Sequence, residues 1–339
     1  MSENTIKSDV VGDAPPPEEE EEGPLSTIVN SKELLADVPT QFLSGNPKRP
    51  LLHIDDDGSR YEYSLKPLLY SVMFILIIEL LERFSYYGLN HSQQAYLTGE
   101  YNPEWSANLT AVQASMFVSS SQVVAYTAPF VGGIVADGLI GDYWNIISGT
   151  VFLYIPGLVL IALASYPYVL GDTFNMGALK AGMLALYPVG AGFIKSVVNI
   201  FGAKQYHPRL QSGLISSYYI NFYLAINIGS IFGGILIPLL AEENTAVSYT
   251  VPAIVLFVGL VIFILGTKRY VRARPRKDAL WTSLYILCSP LYCRSYDSHK
   301  KSNGGATEDD FVTGVFHLIA VFPATMLIVP FMITYNQSK

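Results

Sequence analysis

Cysteine and charged residues are both scarce in this sequence of 339 residues. The two cysteines, Cys288 and Cys293, stand five positions apart in a polar stretch, a spacing that matches no zinc or redox motif, so we expect ordinary thiols. Only 14% of the residues are charged whereas 50% are hydrophobic, which is typical of a membrane protein. The net charge of -7 is largely local, because Glu18 to Glu22 supply five negative charges in one run, and it does not indicate nucleic-acid binding.

The sequence also lacks the motifs of the common enzyme classes. It has no nucleophile elbow, metal-ligand cluster or phosphate-binding loop, and its glycine pairs Gly132-Gly133 and Gly233-Gly234 lie in apolar stretches where they favour close helix packing. We therefore predict no enzymatic activity, no cofactor and no metal site.

The first 65 residues are polar and rich in proline and glutamate. Such a composition buries too little apolar surface to offset chain entropy, so residues 1–65 are predicted to form a disordered acidic cytoplasmic tail. The tail is interpreted as a solvating arm, with regulation through modification as the alternative. Because the start does not have the pattern of a signal peptide, we expect the first membrane helix to act as the insertion signal.

Seven apolar stretches are long enough to cross a bilayer, which takes about twenty residues per helix. The first six predict a transmembrane bundle over residues 66–267, followed by a basic cytoplasmic loop at 268–310 and a seventh helix within 311–339. The predicted spans are about 68–90, 111–136, 144–165, 176–201, 214–240, 248–267 and 311–335.

Lysine and arginine are distributed unevenly between the predicted loops. The loops near 91–110, 166–175 and 241–247 contain neither residue, whereas the loop at 268–310 contains nine. The positive-inside rule therefore predicts a multi-pass membrane protein with a cytoplasmic amino terminus, and we expect it in the plasma membrane. The six cations within 268–277 either fix this topology or bind anionic lipid headgroups.

One glycosylation acceptor lies in the first predicted outer loop. Asn108, Leu109 and Thr110 match the acceptor pattern, although they directly precede the second helix. Glycosylation of Asn108 and an unmodified loop both remain open.

The first predicted helix contains three ionisable residues in an otherwise apolar span, namely Glu79, Glu82 and Arg83. Each charge at the bilayer centre costs roughly 2.5 to 3.5 kcal/mol. At 100° per residue, these positions and Tyr86 and Tyr87 fall within an arc of about 140°, so one helix face carries them all. This face is predicted to line a cavity or a helix interface, where the carboxylates offer a route to proton coupling. Alternatively, the charges neutralise a neighbouring helix or snorkel to the interface.

A single lysine, Lys195, lies about six residues inside the fourth predicted span, with no carboxylate in reach on its own helix. Its partner is expected to come from elsewhere, and Glu79 and Glu82 are the candidates. Tyr126 in the second span and Asn227 in the fifth are polar residues for which helix packing is the ordinary interpretation.

Three motifs, in order, resemble the proton-dependent oligopeptide transporter family of the major facilitator superfamily. The family's helix-one signature resembles Glu79-x-x-Glu82-Arg83-Phe84-x-Tyr86-Tyr87. The other two matches are Gly132 to Gly141 at the end of helix two and Tyr219 to Ile231 in helix five. The resemblance implies an all-α polytopic fold with an amino-terminal six-helix bundle plus a seventh helix, the carboxy-terminal bundle being absent from this sequence.

The resemblance also implies residue roles and a function, proton-coupled symport of di- and tripeptides. Proton coupling is implied for Glu79, Glu82, Arg83 and Lys195, and peptide binding for Arg83, Tyr86, Tyr87, Tyr126, Lys195 and Asn227. The implied partners are peptides, protons and the lipid bilayer, with no nucleic acid.

The sequence departs from the family pattern at several positions. Asn90 stands where many members have a second arginine, Asp142 and Trp144 stand where basic residues are common, and Lys204 replaces an acid. These departures put typical gating in doubt. Because only one bundle is present, the alternatives are a shortened transporter and an inactive or regulatory half-transporter. A seven-helix receptor also fits the number of spans, but its extracellular amino terminus disagrees with the charge pattern.

Overall fold

The computed structural model describes residues 28–55, 58–275, 279–289, 295–307, 309 and 311–317. The predicted tail residues 1–27, Cys293 and most of the predicted seventh helix, residues 318–339, lie outside this part of the chain.

The described residues form six long helices, α1 to α6, in the regions that the hydrophobic pattern predicts. A π-helical turn at Leu68–Val72 leads directly into α1. Five of the six, α2 to α6, are long and apolar enough to cross a membrane, and α1 differs from them by its three charged residues. The predicted helical architecture, with five helices of membrane-spanning length and composition among the described residues, is therefore confirmed, whereas the seventh helix and the major-facilitator arrangement stay predictions. The bounds are α1 Met73–Thr98, α2 Ala111–Ile140, α3 Asp142–Ser165, α4 Met176–Ala203, α5 Ser212–Glu243 and α6 Thr245–Leu265.

Local sequence signals set the helix ends. Gly99 ends α1 in a left-handed conformation with a φ of 82°, which glycine adopts without steric cost. Thr110 and Gln113 form a reciprocal capping box that begins α2. Asn244 begins α6 by accepting a hydrogen bond from the backbone amide of Val247 at 3.1 Å.

Glycines bring α1 and α5 into close contact, so that α1 packs deep in the bundle. A Cβ atom added to Gly229 would meet the carbonyl oxygen of Leu80 and, at 2.9 Å, the Cβ of Arg83. One turn further along α5, a Cβ on Gly233 would meet the backbone of Phe84. Small residues at such contacts let two membrane helices approach closely. The other side of α1 packs against α6, and α2 packs against α4.

Residues 28–55 and 58–65, before α1, are folded, contrary to the predicted disorder of residues 1–65. Residues 28–55 and 58–65, which we call the cap, contain two 3₁₀ turns and an antiparallel hairpin. The register of the hairpin pairs Leu51 with Tyr63 and Ile54 with Arg60. The turns are Leu34–Asp37 and Thr40–Phe42, and the strands are β1 Leu51–Ile54 and β2 Arg60–Tyr63.

The cap covers the end of the bundle at which α1, α3 and α5 begin and α2, α4 and α6 end, which we call the cap end. Its apolar residues bury themselves against Leu210, in the α4–α5 loop, and Val271, after α6. The side chain of Gln211 donates hydrogen bonds to the carbonyls of Val29 at 2.9 Å and Ser64 at 3.1 Å. This docking surface supplies the burial that allows the cap to fold, so the disorder prediction is wrong for residues 28–55 and 58–65.

His207 is fully buried where the cap meets the α4–α5 loop. Its Nε2 lies 3.1 Å from the carbonyl oxygen of Leu52, and the rings of Phe42, His53 and Tyr63 surround it at centroid distances of 5.3 to 5.9 Å. Burial lowers the pKa of His207 from 6.5 to about 4. The docked cap therefore holds this histidine neutral.

Candidate functional site

Glu79, Glu82 and Arg83 form one ion-paired cluster on the inner face of α1. Arg83 lies one turn after Glu79, and its Nε is 3.1 Å from the Oε1 of Glu79. Its Nη2 is paired with Oε2 of Glu82. The relative exposure of the three residues is 2%, 0% and 7%, in chain order. The helical spacing thus brings the charges together as predicted, buried between helices and not on the protein surface.

Aromatic rings from three helices enclose this cluster. The guanidinium of Arg83 lies 5.3 Å from the ring centre of Tyr86. Tyr187 of α4 lies 6.0 Å from Tyr86 and 5.4 Å from Tyr154 of α3, measured between ring centroids. Tyr154 and Tyr187 are both buried, and both were missed in the sequence, where a tyrosine in an apolar span looks like ordinary packing.

Lys195 of α4 reaches the same cluster through an aromatic ring and not through a carboxylate. Its Nζ lies 3.4 Å from the ring centre of Tyr86 and 5.7 Å from that of Tyr126. Among the described residues, no carboxylate oxygen lies within 4.0 Å of this ammonium. The expected direct pairing of Lys195 with Glu79 or Glu82 is therefore wrong in this conformation. Arg83 already binds both carboxylates, and the face of Tyr86 holds the lysine by a cation–π contact.

The remaining predicted binding residues lie at the edge of this cluster. Tyr126 is 58% exposed on α2, so the cluster reaches the surface there. Tyr87 is half-buried, with its ring 5.4 Å from that of Tyr86. The side-chain amide of Asn227 donates at 2.7 Å to the carbonyl oxygen of Tyr223 in its own helix. The structure thus unites Glu79, Glu82, Arg83, Tyr86 and Lys195, with Tyr87 and Tyr126 adjacent, and leaves the Asn227 amide bonded within α5.

Asn108, the predicted glycosylation acceptor, lies on the opposite side of the bundle from the cap. It is exposed and has a positive φ of 48°, and its Oδ1 accepts a hydrogen bond from the hydroxyl of Ser106 at 3.1 Å. Thr110 of the same acceptor sequence caps α2. Accessibility is thus compatible with modification, which stays a prediction.

Two of the departures from the family pattern meet at the cap end. The Nζ of Lys204, at the end of α4, lies 2.7 Å from Oδ2 of Asp142, the first residue of α3. The lysine side chain is 40% exposed and the aspartate side chain 10% exposed. Asp142, an acid where a base is common, therefore pairs with Lys204, a base where an acid is common, so the two departures compensate each other.

Comparison with known proteins supports the resemblance read from the sequence. A family model described as the POT family matches residues 143–309. Peptide transporter 3 of Caenorhabditis elegans is 29% identical over 72% of this chain and 33% of its own length. Solute carrier family 15 member 2 of Mus musculus is 27% identical over 82% of this chain and 37% of its own length. The chain thus spans about a third of the length of these relatives.

A solved structure described as a proton-dependent oligopeptide (POT) family transporter resembles the fold. It superimposes with a TM-score of 0.52 at 27% identity, and the match covers 65% of this chain and 47% of that one. Both kinds of comparison therefore converge on one group of membrane transporters, and neither favours a receptor.

Proposed function

The chain belongs to the POT family, and from that premise we propose that its six helices form one side of a proton-coupled carrier for di- and tripeptides. The observation that carries the proposal is the buried cluster of Glu79, Glu82 and Arg83, with Lys195 held nearby on Tyr86. The names of the relatives, which include a peptide transporter, support the substrate class.

The charge arrangement of the cluster supports a substrate with a free carboxylate. When all four groups are ionised, the two carboxylates and two cations balance, but only Arg83 is bound directly to the carboxylates. Lys195 is held by a ring, a contact worth about 0.5 to 2 kcal/mol, so it remains able to bind an incoming anion. In this proposal Lys195 and Arg83 receive the peptide carboxylate, and protonation of Glu79 or Glu82 releases Arg83 from its present partners.

The exposed edge of the cluster supports a substrate path along the face of the bundle that Tyr126 and Tyr223 share. Tyr126 on α2 and Tyr223 on α5 are 58% and 68% exposed, and both lie in apolar membrane helices. In our proposal these tyrosines face a central cavity whose other wall is a second helical bundle. Carriers of this kind work by rocking two bundles about a central site. The same face would serve a half-transporter that pairs with another chain.

We also propose that the cap end faces the cytoplasm of a cell whose plasma membrane holds the protein. The loops at the cap end contain Lys204, Arg209, Lys268 and Arg269, whereas the described loops at the other end contain acids and no lysine or arginine. This distribution follows the positive-inside rule.

Uptake of a labelled dipeptide into proteoliposomes tests the proposal. The chain would be reconstituted alone and together with the carboxy-terminal remainder of the nematode relative, with an imposed pH gradient. We expect gradient-dependent uptake from the assembled pair, its loss in Glu82→Gln, and its retention in Lys204→Gln, which removes a cation away from the cluster. Uptake that survives collapse of the gradient or Glu82→Gln would overturn proton coupling. No uptake from a correctly assembled pair would overturn the transport function.

A further inference from the structure

Two guanidinium groups lie over the ring of Tyr70 where the cap, the start of α1 and the end of α6 meet. The guanidinium carbon of Arg49, in the cap, lies 5.6 Å from the ring centre of Tyr70. That of Arg269, which follows α6, lies 5.7 Å from the same ring and 5.0 Å from the ring of Phe74. Lys268 is the third cation and is linked to Arg49 through its backbone. We call Arg49, Tyr70, Lys268 and Arg269 the Tyr70 cluster.

Backbone carbonyls and aromatic rings hold the two arginines in place. Nη2 of Arg49 donates to the carbonyl oxygen of Lys268 at 2.5 Å, and Nη1 of Arg269 donates to the carbonyl oxygen of Tyr70 at 3.5 Å. Among the described residues, no carboxylate lies within 4.0 Å of Arg49, Lys268 or Arg269. Lys268 and Arg269 are exposed. Two guanidinium groups are thus held against one ring, one of them next in sequence to the exposed Lys268, and no described carboxylate compensates their charges at short range, which favours an external anion.

The cluster adjoins exposed apolar side chains at the ends of two membrane helices. Leu69 is 63% exposed beside Tyr70, and Met73, one helical turn further, is 42% exposed. Leu265, the last residue of α6 and four positions before Arg269, is 70% exposed. Cations immediately beyond the apolar part of a membrane helix lie at the depth of lipid headgroups, whereas exposed leucines there contact acyl chains.

We propose that the Tyr70 cluster binds the headgroup of an acidic phospholipid. The phosphate lies between the guanidinium groups of Arg49 and Arg269, whose planar donors match phosphate oxygens, and Lys268 adds a third charge. The acyl chains lie along Leu69, Met73 and Leu265. Because Arg49 belongs to the cap, the lipid also fastens the cap to the membrane surface. This proposal is independent of the transported substrate.

The simpler explanation of these cations is that they only fix the topology of the protein, and their geometry argues against it. Topology depends on the number of positive charges in a loop and not on their side-chain contacts. The Tyr70 cluster instead joins residues more than 200 positions apart, and two of its guanidinium groups lie against one ring. A second ligand source, free phosphate, shares the chemistry of the headgroup but makes no use of the exposed leucines.

Lipid binding by the purified full chain in a neutral detergent tests the proposal. The probe is phosphatidylglycerol, with phosphatidylcholine and inorganic phosphate as separate arms, and the measurement is lipid retained in native mass spectrometry during a titration. We expect the variant carrying Arg49→Gln, Lys268→Gln and Arg269→Gln to bind phosphatidylglycerol at least about tenfold more weakly, since it removes the positive charges that attract an anionic headgroup.

The matched control carries Lys32→Gln, Arg60→Gln and Arg209→Gln, which removes the same number and kinds of charge from exposed positions outside the cluster. We expect this control to keep its affinity. Tyr70→Leu, which removes the ring but no charge, should weaken binding severalfold and covers the case in which the triple variant fails to fold. Equal losses in both triple variants, equal binding of phosphatidylcholine, or full competition by inorganic phosphate at equal concentration would each overturn the lipid site.

Discussion

The ammonium group of Lys195 lies 3.4 Å from the centre of the Tyr86 ring. Tyr86 also lies 5.3 Å from the guanidinium of Arg83, measured from the ring centre, so one ring links the lysine of α4 to the ion pairs of α1. The face of an aromatic ring carries negative electrostatic potential, which attracts both cations. Tyr86 therefore allows two positive charges to share a buried site without a carboxylate between them.

Replacement of Tyr86 tests this link. We expect Tyr86→Phe to keep the free energy of unfolding close to that of the natural protein, because it keeps the ring. Tyr86→Leu should lower it, and a double-mutant cycle with Lys195→Met should give a coupling energy of about 0.5 to 2 kcal/mol. The measurement is denaturant unfolding in detergent micelles. Additive effects of the two substitutions would contradict a direct interaction.

Arg83 is the cation on which both buried glutamates depend. Arg83→Gln leaves two buried carboxylates without their ion-pair partner, and breaking a buried pair in this way costs about 3 to 5 kcal/mol of stability. We expect the triple variant Glu79→Gln, Glu82→Gln and Arg83→Gln to recover much of that loss, since it buries no unpaired charge. Thermal unfolding in detergent measures both variants.

The ion pair at the cap end provides the comparison for Arg83. Lys204→Gln also removes a cation from a carboxylate, but the lysine side chain is 40% exposed and solvent screens the charge that remains. We expect a loss of no more than about 1 kcal/mol, typical of partly exposed pairs. Equal losses in Lys204→Gln and Arg83→Gln would show that burial does not determine the importance of the α1 cluster.

Acid should release the cap through His207. Burial lowers the pKa of His207 from 6.5 to about 4, so this histidine binds a proton more readily when the cap is undocked. The contribution of neutral His207 to docking is complete above pH 6.5 and is lost as the pH falls from 6.5 towards 4. Limited proteolysis of the β1–β2 connection at pH 7.5 and pH 5 should therefore show faster cleavage at the lower pH.

Two further variants distinguish the titration of His207 from that of its neighbours. His53 and Arg209 both act on His207, and the ring of His53 lies 5.5 Å from its ring. His207→Gln should abolish most of the pH dependence of cleavage, whereas His53→Gln should retain it. Retention of the full pH dependence in His207→Gln would assign the effect to another group.

Local sequence was sufficient for the helices but not for the contacts between them. The apolar runs predicted α2 to α6, and the 100° spacing predicted the face that unites Glu79, Glu82 and Arg83. The position of Lys195 on Tyr86 depends on how α4 packs against α1, which no single helix encodes. Tyr154 and Tyr187 were missed for the same reason.

The cap was missed because composition was averaged over too long a segment. The glutamate and proline runs before residue 28 dominate residues 1–65 and conceal a short hairpin pattern. A hairpin of two strands is marginal by itself, and this one gains its burial from Leu210 and Val271, more than 140 positions further along the chain. The hairpin therefore folds against a surface formed by residues distant in sequence, which a local pattern cannot predict.

The close packing of α1 against α5 depends on glycine at position 229. A Cβ on Gly229 would collide with the carbonyl oxygen of Leu80 and lie 2.9 Å from the Cβ of Arg83, and neither group can yield without moving α1. Gly229→Ala should therefore lower the free energy of unfolding by about 1 to 3 kcal/mol, as overpacking does. It should also weaken dipeptide binding, since the shift displaces Arg83.

Gly133→Ala is the matched control, because a Cβ at Gly133, also within a membrane helix, would have nothing within 4 Å. We expect this control to equal or slightly exceed the stability of the natural protein, as alanine is the better helix former. Thermal unfolding and dipeptide titration of both variants make the comparison, and equal behaviour of the two would contradict the role of Gly229 in positioning the site.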